Sequence, residues 1–504
     1  MQLDARQPVI IGVAQYTDRP GRLEEAMEPL AMMELVARQA ARDGGSEALL
    51  EKLDNITVVN LASWRYQHPP ALLAERLGCG PRDLLHSAMG GDSPQRLMNL
   101  LAERIFTGRN RLALLVGAEA FASVVKARKE GVQLPWTPPV ASSRVDEEEK
   151  PGSSPLEAHY DLALPIRVYP LFENAIRYRL GLDMDEHRRR LGLLCARMTQ
   201  VAAANPYAWF RQARSAEEIV SVTPENRMIC FPYTKYMNAI LEVNQAACAI
   251  VTSVEVAREL GIPQERWVFV WSGATLADIW FLSERPSLDR SLAHELVLTR
   301  ALEQAGVSAD QVDMFDFYSC FPSAVQAAML AVGMQPDDPR PFTVTGGLPY
   351  AGGPGSNYSL HAIAAMVEAL RSRPDAIGMV SSMGWYFTKH AAGVYSARPP
   401  AHPYRPYDPR EDMARVEAQE RPPLLEEADG PGVVETYTIV YNREGQPEQG
   451  IVVGRMEGDS GGRFLAHTEP NQEVFDLMAG SEFVGRRGTV RHDRQQRRNL
   501  FYPD

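Results

Sequence analysis

One stretch of the chain, residues 89–120, combines a glycine-rich loop, a helix and a buried strand, and it constrains the fold more than any other. Ser93 and Pro94 supply an N-cap and a first-turn proline, and Gly108 can end the helix. The apolar residues between them recur at helical spacing: Leu97, Leu100, Leu101 and Ile105. A continuous apolar run at 112–116 follows as a strand. The stretch therefore predicts a loop–helix–strand unit of an α/β protein.

The loop in front of this helix is well placed for chemistry. A helix N-terminus concentrates unpaired N–H groups and a partial positive charge, which stabilise a bound anion or a nucleophile of lowered pKa. In this chain the position is held by a glycine, Gly91, which brings no side chain to it.

Composition limits the possible functions. A chain of 504 residues is long enough for several domains, and its net charge of −12 argues against nucleic acid or an anionic membrane as the main partner. The cysteines are scattered without Cys-x-x-Cys spacing, which indicates reduced thiols rather than a disulfide framework or a zinc site: Cys79, Cys195, Cys230, Cys248 and Cys320. No apolar run approaches the ~20 residues of a membrane span. We expect a cytoplasmic protein without a metal.

The first half of the chain alternates strands and helices, which predicts a parallel α/β layer. The predicted elements are a strand at 8–13, a helix at 27–42 and a strand at 56–60. Residues 122–155 are rich in proline and carry the acidic run 147–149, so we expect an excursion from the sheet. An inserted helical subdomain is then predicted, with helices at 171–182, 184–204 and 244–260.

The second half repeats the alternation and then changes character. A strand at 267–271, a helix at 294–306 and a strand at 312–317 suggest a duplicated α/β unit. Repeated prolines after 398 predict an extended linker. The tail is strand-patterned, with turns at 444–445 and 459–462, and predicts a small OB-like barrel of about five strands; its strands are expected at 433–441, 450–456, 464–468 and 488–491.

The first segment resembles the thiolases, in which small residues, a serine, a helix, a glycine turn and a strand ending in Gly-x-Glu follow each other. Three further segments, at 316–321, 346–354 and 382–384, strengthen the resemblance. They resemble the His-Asp-Cys-Phe loop of the sterol-carrier-protein branch, the Gly-Gly…Gly-His-Pro loop and the late Cys-x-Gly. Their order and spacing agree with the family across residues 9–396.

The resemblance implies a duplicated five-layer αβαβα thiolase fold with an inserted loop domain and a small C-terminal β-barrel. The expected boundaries are 1–262 for the N-terminal thiolase-like domain, with the loop domain at about 121–243, and 263–398 for the C-terminal one. Residues 399–504 would form the linker and the additional domain. A degenerate thiolase core with such a tail is similar to the group called thiolase-like protein type 1.

The family's catalytic side chains are absent at the matching positions. The nucleophilic cysteine is replaced by Gly91, the histidine of the His-Asp-Cys-Phe loop by Tyr318, the Gly-His-Pro histidine by Gly353 and the second cysteine by Ser382. Thiolase chemistry needs a thiolate, a histidine that activates it and a second thiol base. We therefore expect Claisen condensation and thiolysis to be lost, although whether the chain is an enzyme stays open.

The resemblance still implies a ligand, CoA or an acyl-CoA, without any cofactor. Backbone N–H groups at Gly91 and Gly384 would form an oxyanion hole, because that device uses no side chain. Another set of residues matches family loops that contact CoA, although the family has a serine where this chain has isoleucine 240: Met237, Asn238, Ala239, Ile240, Gly346 and Gly347.

Two alternatives remain open. The first is an acyltransferase or thioester hydrolase that uses Cys320, Ser382 or His390, although Cys320 and His390 also suit structural roles. The second is a non-catalytic partner of an active thiolase that binds it through the C-terminal β domain. A monomer and a homodimer are both compatible with the sequence. We also expect the tail to pack on the core, and the basic run 491–498 to be a solvated strand end.

Overall fold

The structure is a computed structural model that describes residues 3–458 and 461–504. The first half of the α/β core alternates strands and helices from the N-terminus onward. Its elements are β1 (Pro8–Thr17), α1 (Pro29–Asp43), β2 (Asn55–Val58), α2 (Pro69–Leu77), β3 (Asp83–His86), α3 (Ser93–Phe106) and β4 (Leu112–Ala120). The helix and strand predicted within residues 89–120 are confirmed as α3 and β4.

An inserted region follows β4, and the chain then returns to the core. The inserted elements are α4 (Phe121–Glu130), α5 (Pro155–His159), α6 (Pro165–Arg179), α7 (Met184–Ala204), α8 (Ala216–Val220), β5 (Met228–Cys230) and β6 (Tyr233–Thr234). The core resumes with β7 (Asn244–Ser253), α9 (Val254–Glu259), β8 (Val268–Ala277), α10 (Leu292–Ala305), β9 (Met314–Asp316), α11 (Pro322–Ala331), α12 (Tyr358–Ser372), β10 (Ile377–Gly384) and β11 (Lys389–Ser396).

These elements stack in five layers. The strand order is β3-β2-β4-β7-β1-β8-β11-β10-β9, and the two halves meet where Val9 and Ile10 of β1 pair with Phe269 and Val268 of β8. Helices α3 and α12 pack against strands of both halves and against each other, α1 contacts β1, β4 and β7 on one outer face, and α10 contacts β8 and β11 on the other. The predicted αβαβα fold is confirmed.

The prediction of a helix at 244–260 is wrong. Residues Asn244–Ser253 form the central strand β7, which pairs with β1 and β4, and only the short helix α9 follows. Every residue of β7 is buried, because the strand is covered on both faces. A doubly covered strand shows no alternation of apolar and polar residues, and its alanines favour helix by propensity, so the pattern was ambiguous.

The C-terminal domain contains the predicted closed barrel. Its elements are α13 (Arg410–Glu417), β12 (Leu424–Leu425), β13 (Gly430–Tyr441), β14 (Pro447–Met456), β15 (Arg463–His467), α14 (Gln472–Gly480), β16 (Arg487–Asp493) and β17 (Arg498–Pro503). The ring closes because β13 pairs with β14 and β16, β15 pairs with β14 and β17, and β16 pairs with β17. Helix α14 was not predicted. Of the predicted turn at 459–462, residues 459 and 460 lie outside the described residues.

A bulge interrupts the alternation of faces along β13. Strict alternation would place Val434 and Thr436 on one face, but the register shifts between them where the strand pairs with β14. As a result Val434 points into the barrel core together with Tyr437 and Ile439, although alternation would separate them. The basic run 491–498 spans the turn between β16 and β17, with its central residues exposed, as predicted.

The barrel packs on the thiolase-like core, as expected. Its strand β13 pairs with the inserted strand β5, where Val440 lies opposite Cys230. Thr436 donates a hydrogen bond to the carbonyl of Leu171 at 2.5 Å, and Asn174 of α6 donates one to the carbonyl of Tyr437 at 2.9 Å. These bonds fix the barrel against the aromatic face of α6.

A buried arginine anchors the barrel to the second half of the core. Arg463 is fully buried, pairs with Glu435 at 2.6 Å and donates to the carbonyl of Ser283 at 3.0 Å. The proline-rich linker is anchored as well, since Arg300 pairs with Asp412 at 2.8 Å and Tyr404 is buried. The Glu435 pair keeps the Arg463 guanidinium charge satisfied where it reaches the carbonyl of Ser283, so we expect the barrel and the core to unfold together.

We therefore predict that a chain ending at residue 421, which keeps the linker and loses the barrel, is less stable than the full chain. Its melting temperature should fall by more than about 5 °C, because the covered face of α6 becomes exposed to water. A chain ending at 403 is the comparison and should melt lower still, since it also loses Tyr404 and Asp412. Unchanged melting of the 421-residue chain would contradict this integration.

Within residues 3–458 and 461–504, no helix has both the length and the apolar character needed to cross a bilayer.

Candidate functional site

The loop before α3 brings Gly91 to the centre of the molecule, between the two halves of the core. Gly90 donates its N–H to the Ser356 hydroxyl at 3.1 Å, and the Gly91 carbonyl accepts from the Ser359 hydroxyl at 3.3 Å. Gly91 itself is partly exposed. Its N–H has no hydrogen-bond partner within the part of the chain that the structure describes. The loop thus presents a backbone donor without a partner among the described residues, in a partly exposed glycine.

Tyr318 fills the space beside Gly91. A β-carbon built on Gly91 would overlap the Tyr318 hydroxyl and would lie 2.6 Å from Tyr318 Cζ and 2.5 Å from the carbonyl oxygen of Met383. Real β-carbons do not approach other atoms this closely. Position 91 can therefore hold a glycine and no larger residue while Tyr318 keeps this position.

A buried network holds the Tyr318 loop in place. Asp316 is fully buried and accepts hydrogen bonds from the Thr343 and Thr345 hydroxyls, each at 3.0 Å, and from the Tyr358 hydroxyl at 3.0 Å. The Tyr318 ring lies edge-on to Tyr358 with 5.7 Å between ring centroids. Burial raises the pKa of Tyr318 well above its usual value, so its hydroxyl stays protonated and cannot replace a basic imidazole.

Two other predicted site residues, Ser382 and Gly353, lie in closely packed surroundings. The Ser382 hydroxyl is buried and lies 3.1 Å from the carbonyl oxygen of Asp92, to which it donates. Gly353 donates its N–H to the Ile240 carbonyl at 2.8 Å, and a β-carbon there would lie 3.1 Å from that oxygen. A side chain at 353 would therefore require a small shift of the neighbouring segment.

Cys320 and His390 lie in different surroundings. Burial raises the pKa of the Cys320 thiol to about 12, so the thiolate is not populated at neutral pH. His390 lies on the face of β11 opposite Lys389 and packs on His294 with 4.9 Å between ring centroids. Burial lowers the pKa of His390 to about 3. The structure does not bring His390 together with Gly91.

The predicted CoA-contacting segment joins two loops of the site. Ala239 donates its N–H to the Cys320 carbonyl at 3.1 Å, and Ile240 donates to the Leu348 carbonyl at 3.3 Å. Met237 is buried, Asn238 is half-buried, and Leu241 just beyond the segment is 54% exposed. The segment therefore leads from the protein surface to Cys320.

The glycine pair at 346 and 347 allows α7 to approach the loop that contains these two residues. Both residues have positive φ, +104° and +82°, which favours glycine. A β-carbon on Gly346 would lie 2.5 Å from Ala202, and one on Gly347 would lie 2.8 Å from the Met198 sulfur. These two glycines serve close packing, whether or not they also contact a ligand.

An ion pair that sequence reasoning missed crosses the site. Asp92 is buried and pairs with Lys389 at 3.1 Å, and a β-carbon on Gly90 or Gly384 would overlap this pair. Lys389 also donates to the carbonyl of Met89 at 2.7 Å. The sequence does contain one signal for this pair. Lys389 begins a strand without other charged residues, and a cation in such a position needs a partner.

An open cavity of about 490 Å³ adjoins the loop on the side of Met89. Its walls include the tryptophans Trp280 and Trp385 and the cations Arg96 and Lys389, and residues 147–151 form another wall. In the described ranges, no group of three or more His, Cys, Asp or Glu side chains could hold a metal ion.

Comparisons with known proteins agree with this architecture. Residues 413–495 match the family model described as the thiolase-like protein type 1 additional C-terminal domain. No curated protein matches the chain. Acetyl-CoA acetyltransferase from Syntrophomonas wolfei shares the fold at 15% identity and a TM-score of 0.58, covering 78% of this chain and 100% of its own. The Acat5 thiolase from Ascaris suum, solved with coenzyme A, does so at 14% identity and 0.57, covering 77% and 99%.

A much closer similarity extends over both the core and the barrel. The monomeric SCP2-thiolase-like protein type 1 from Mycobacterium smegmatis is 32% identical, with a TM-score of 0.85, and the match covers 99% of this chain and 100% of that one. The chain belongs to the SCP2-thiolase-like protein type 1 family.

Proposed function

We propose that this protein binds CoA or an acyl-CoA and does not carry out Claisen condensation or thiolysis. The single observation that carries the proposal is the position of Tyr318, whose hydroxyl fills the space that a side chain at Gly91 would need. The Gly91 backbone N–H stays free in the same place. The arrangement favours a site that keeps a backbone donor for a thioester carbonyl and has no nucleophile.

The remaining side chains also argue against substitute chemistry. An acyltransferase or thioester hydrolase needs a nucleophile that is activated by a nearby base. Cys320 is a protonated thiol because burial raises its pKa to about 12, and the Ser382 hydroxyl donates to a backbone carbonyl. His390 faces His294 rather than either of them.

Ligand binding is supported by the path between the surface and the site. The segment 237–240 leads from the exposed Leu241 to the loop of Cys320, the direction in which a pantetheine arm would extend. The Ascaris suum thiolase, which shares this fold, has been solved with coenzyme A. We propose that the pantetheine arm lies along segment 237–240 and that the N–H groups of Gly91 and Gly384 receive the thioester end of the ligand.

Isothermal titration with CoA and acetyl-CoA tests the proposal. We expect heat that saturates at or below millimolar ligand, since a Kd of 1 mM corresponds to about −4 kcal/mol. Ile240→Glu places a carboxylate beside the proposed path and should weaken binding at least about tenfold. Val222→Glu, at an exposed residue of the inserted region, is the matched control and should bind like the parent chain.

The absence of heat at millimolar ligand would contradict the proposal. It would favour the alternative in which the chain is a non-catalytic partner of an active thiolase.

A further inference from the structure

The inserted region contains an acidic strap, residues 144–152, that the proposed function does not use. At one end, Asp146 exchanges hydrogen bonds of 2.9 Å with the backbone of His86, on the outer edge of β3. At the other end, Trp280 donates its indole N–H to the Pro151 carbonyl at 2.7 Å. The Lys150 ammonium lies 4.5 Å from the centre of the Trp280 ring. The strap therefore forms one wall of the cavity beside Met89.

The middle of the strap places a carboxylate in a site with the features of an anion receptor. Glu147 accepts two parallel hydrogen bonds from Arg96, at 2.7 and 2.6 Å, and a third from the backbone N–H of Ala88 at 2.9 Å. A planar guanidinium combined with a backbone N–H is a recurring way to bind a carboxylate, sulfonate or phosphate group. Glu147 thus occupies these donors as an internal ligand.

The cavity behind Glu147 would suit the rest of an anionic ligand. It measures about 490 Å³, and Met89, Trp280 and Trp385 supply apolar wall. Without the strap, the charged groups that remain are Arg96 and Lys389 against the buried Asp92. The wall beneath the strap therefore carries a net positive charge next to aromatic surface.

We propose that this cavity is a second binding site, for an organic anion with an apolar or aromatic body, and that the Glu147 carboxylate is displaced when the ligand binds. The ligand's anionic group would take the bonds from Arg96 and Ala88, and its body would pack on Trp280 and Trp385. The proposal goes beyond CoA binding along segment 237–240, and its test is independent of the test of that function.

The charges of the strap are consistent with an exchange of this kind. Glu148 and Glu149 lie beside Glu147 and are exposed, with no ion pair among the described residues. They therefore repel an incoming anion while Glu147 occupies the donors. Removal of the Glu147 carboxylate both frees the donors and lowers this repulsion. Removal of the Glu148 carboxylate lowers the repulsion and leaves the donors occupied.

Two fluorescent probes with the same aromatic body test the site. 8-Anilinonaphthalene-1-sulfonate carries an anionic group, whereas N-phenyl-1-naphthylamine is neutral. The full chain is titrated as the parent form, as Glu147→Ala and as the matched control Glu148→Ala. We expect Glu147→Ala to bind the sulfonate at least about tenfold more tightly than the parent and Glu148→Ala to stay within about threefold, with the neutral probe unaffected by either change.

Arg96→Gln added to Glu147→Ala should remove the gain. If that double variant does not fold, as judged by its urea midpoint, the contrast between the two probes on Glu147→Ala alone decides. Equal sulfonate affinity of the parent and Glu147→Ala would overturn the proposal. Equal tightening of both probes would also overturn it, because that result would show an exposed apolar surface without an anion site.

Discussion

Gly91→Ala should destabilise the protein by about 3 kcal/mol, although it adds one methyl group to a partly exposed loop. The added carbon would overlap the Tyr318 hydroxyl and would lie 2.5 Å from the Met383 carbonyl oxygen. The Tyr318 ring packs edge-on against the buried Tyr358, and the Met383 carbonyl belongs to strand β10, so neither group can move without disturbing packed neighbours. Urea unfolding of the two forms measures the difference.

Gly80→Ala is the matched control for this prediction, because a β-carbon there meets nothing within 4 Å and the residue is exposed. It should change the stability by less than about 0.5 kcal/mol. In a Tyr318→Ala background the cost of Gly91→Ala should fall, since only the Met383 carbonyl remains in contact. An equal cost in both backgrounds would contradict the assignment of Tyr318 as the group that fills the nucleophile position.

Acid should destabilise the folded chain steeply below about pH 6.5, because several histidines are buried in the neutral form. Burial lowers the pKa of His361 and of His390 to about 3 and that of His294 well below its usual value. Unfolded chains bind these protons below about pH 6.5 and the folded chain does not, so stability is lost as the pH falls.

Buried carboxyl groups oppose this loss. Burial raises the pKa of Glu119 to about 7, so the folded chain holds a proton there that the unfolded chain releases above about pH 4.5. Burial also raises the pKa of Asp18, Asp316 and Glu368.

The histidines outweigh these groups, because burial also lowers the pKa of His86 and lowers that of His467 to about 4. The net loss near pH 5.5 should be at least about 1 kcal/mol for each pH unit. Urea unfolding at pH 7.5 and at pH 5.5 checks the slope.

His294→Phe should reduce this slope by about 1 kcal/mol per pH unit, and it should be tolerated because both ring nitrogens of His294 are buried without hydrogen-bond partners. His402→Phe is the control at an exposed histidine and should leave the slope unchanged. Equal stability at both pH values would contradict the neutral, buried state of these side chains.

The parts of the fold that the sequence predicts well are those with a local signal. The cap at Ser93 and the spacing of the apolar residues after it suffice for α3, and the glycine-rich segments in order suffice for the thiolase fold. Strand β7 has no such signal, since burial of both faces removes the alternation. The bulge in β13 depends on its pairing with β14, which local patterns do not contain.

For the candidate site, the sequence predicts which catalytic side chains are absent but does not predict the tertiary contacts. The resemblance alone predicts the loss of the family's catalytic side chains at Gly91, Tyr318, Gly353 and Ser382. That Tyr318 reaches into the space at Gly91 is a tertiary contact across more than two hundred residues, and only the folded chain shows it. The pairs Asp92–Lys389 and Arg96–Glu147 also join residues that are far apart in the sequence, so no local pattern contains them.

An assay of acetoacetyl-CoA thiolysis and acetyl-CoA condensation directly tests the claim that the site at Gly91 has lost thiolase chemistry. The parent chain and Cys320→Ala should both give the rate of the buffer alone, because neither form has a populated thiolate or a basic imidazole beside Gly91. Turnover by the parent chain would contradict the claim. If that turnover also survived in Cys320→Ala, it would come from residues outside the family positions, and if it disappeared, Cys320 would be the nucleophile of an altered enzyme.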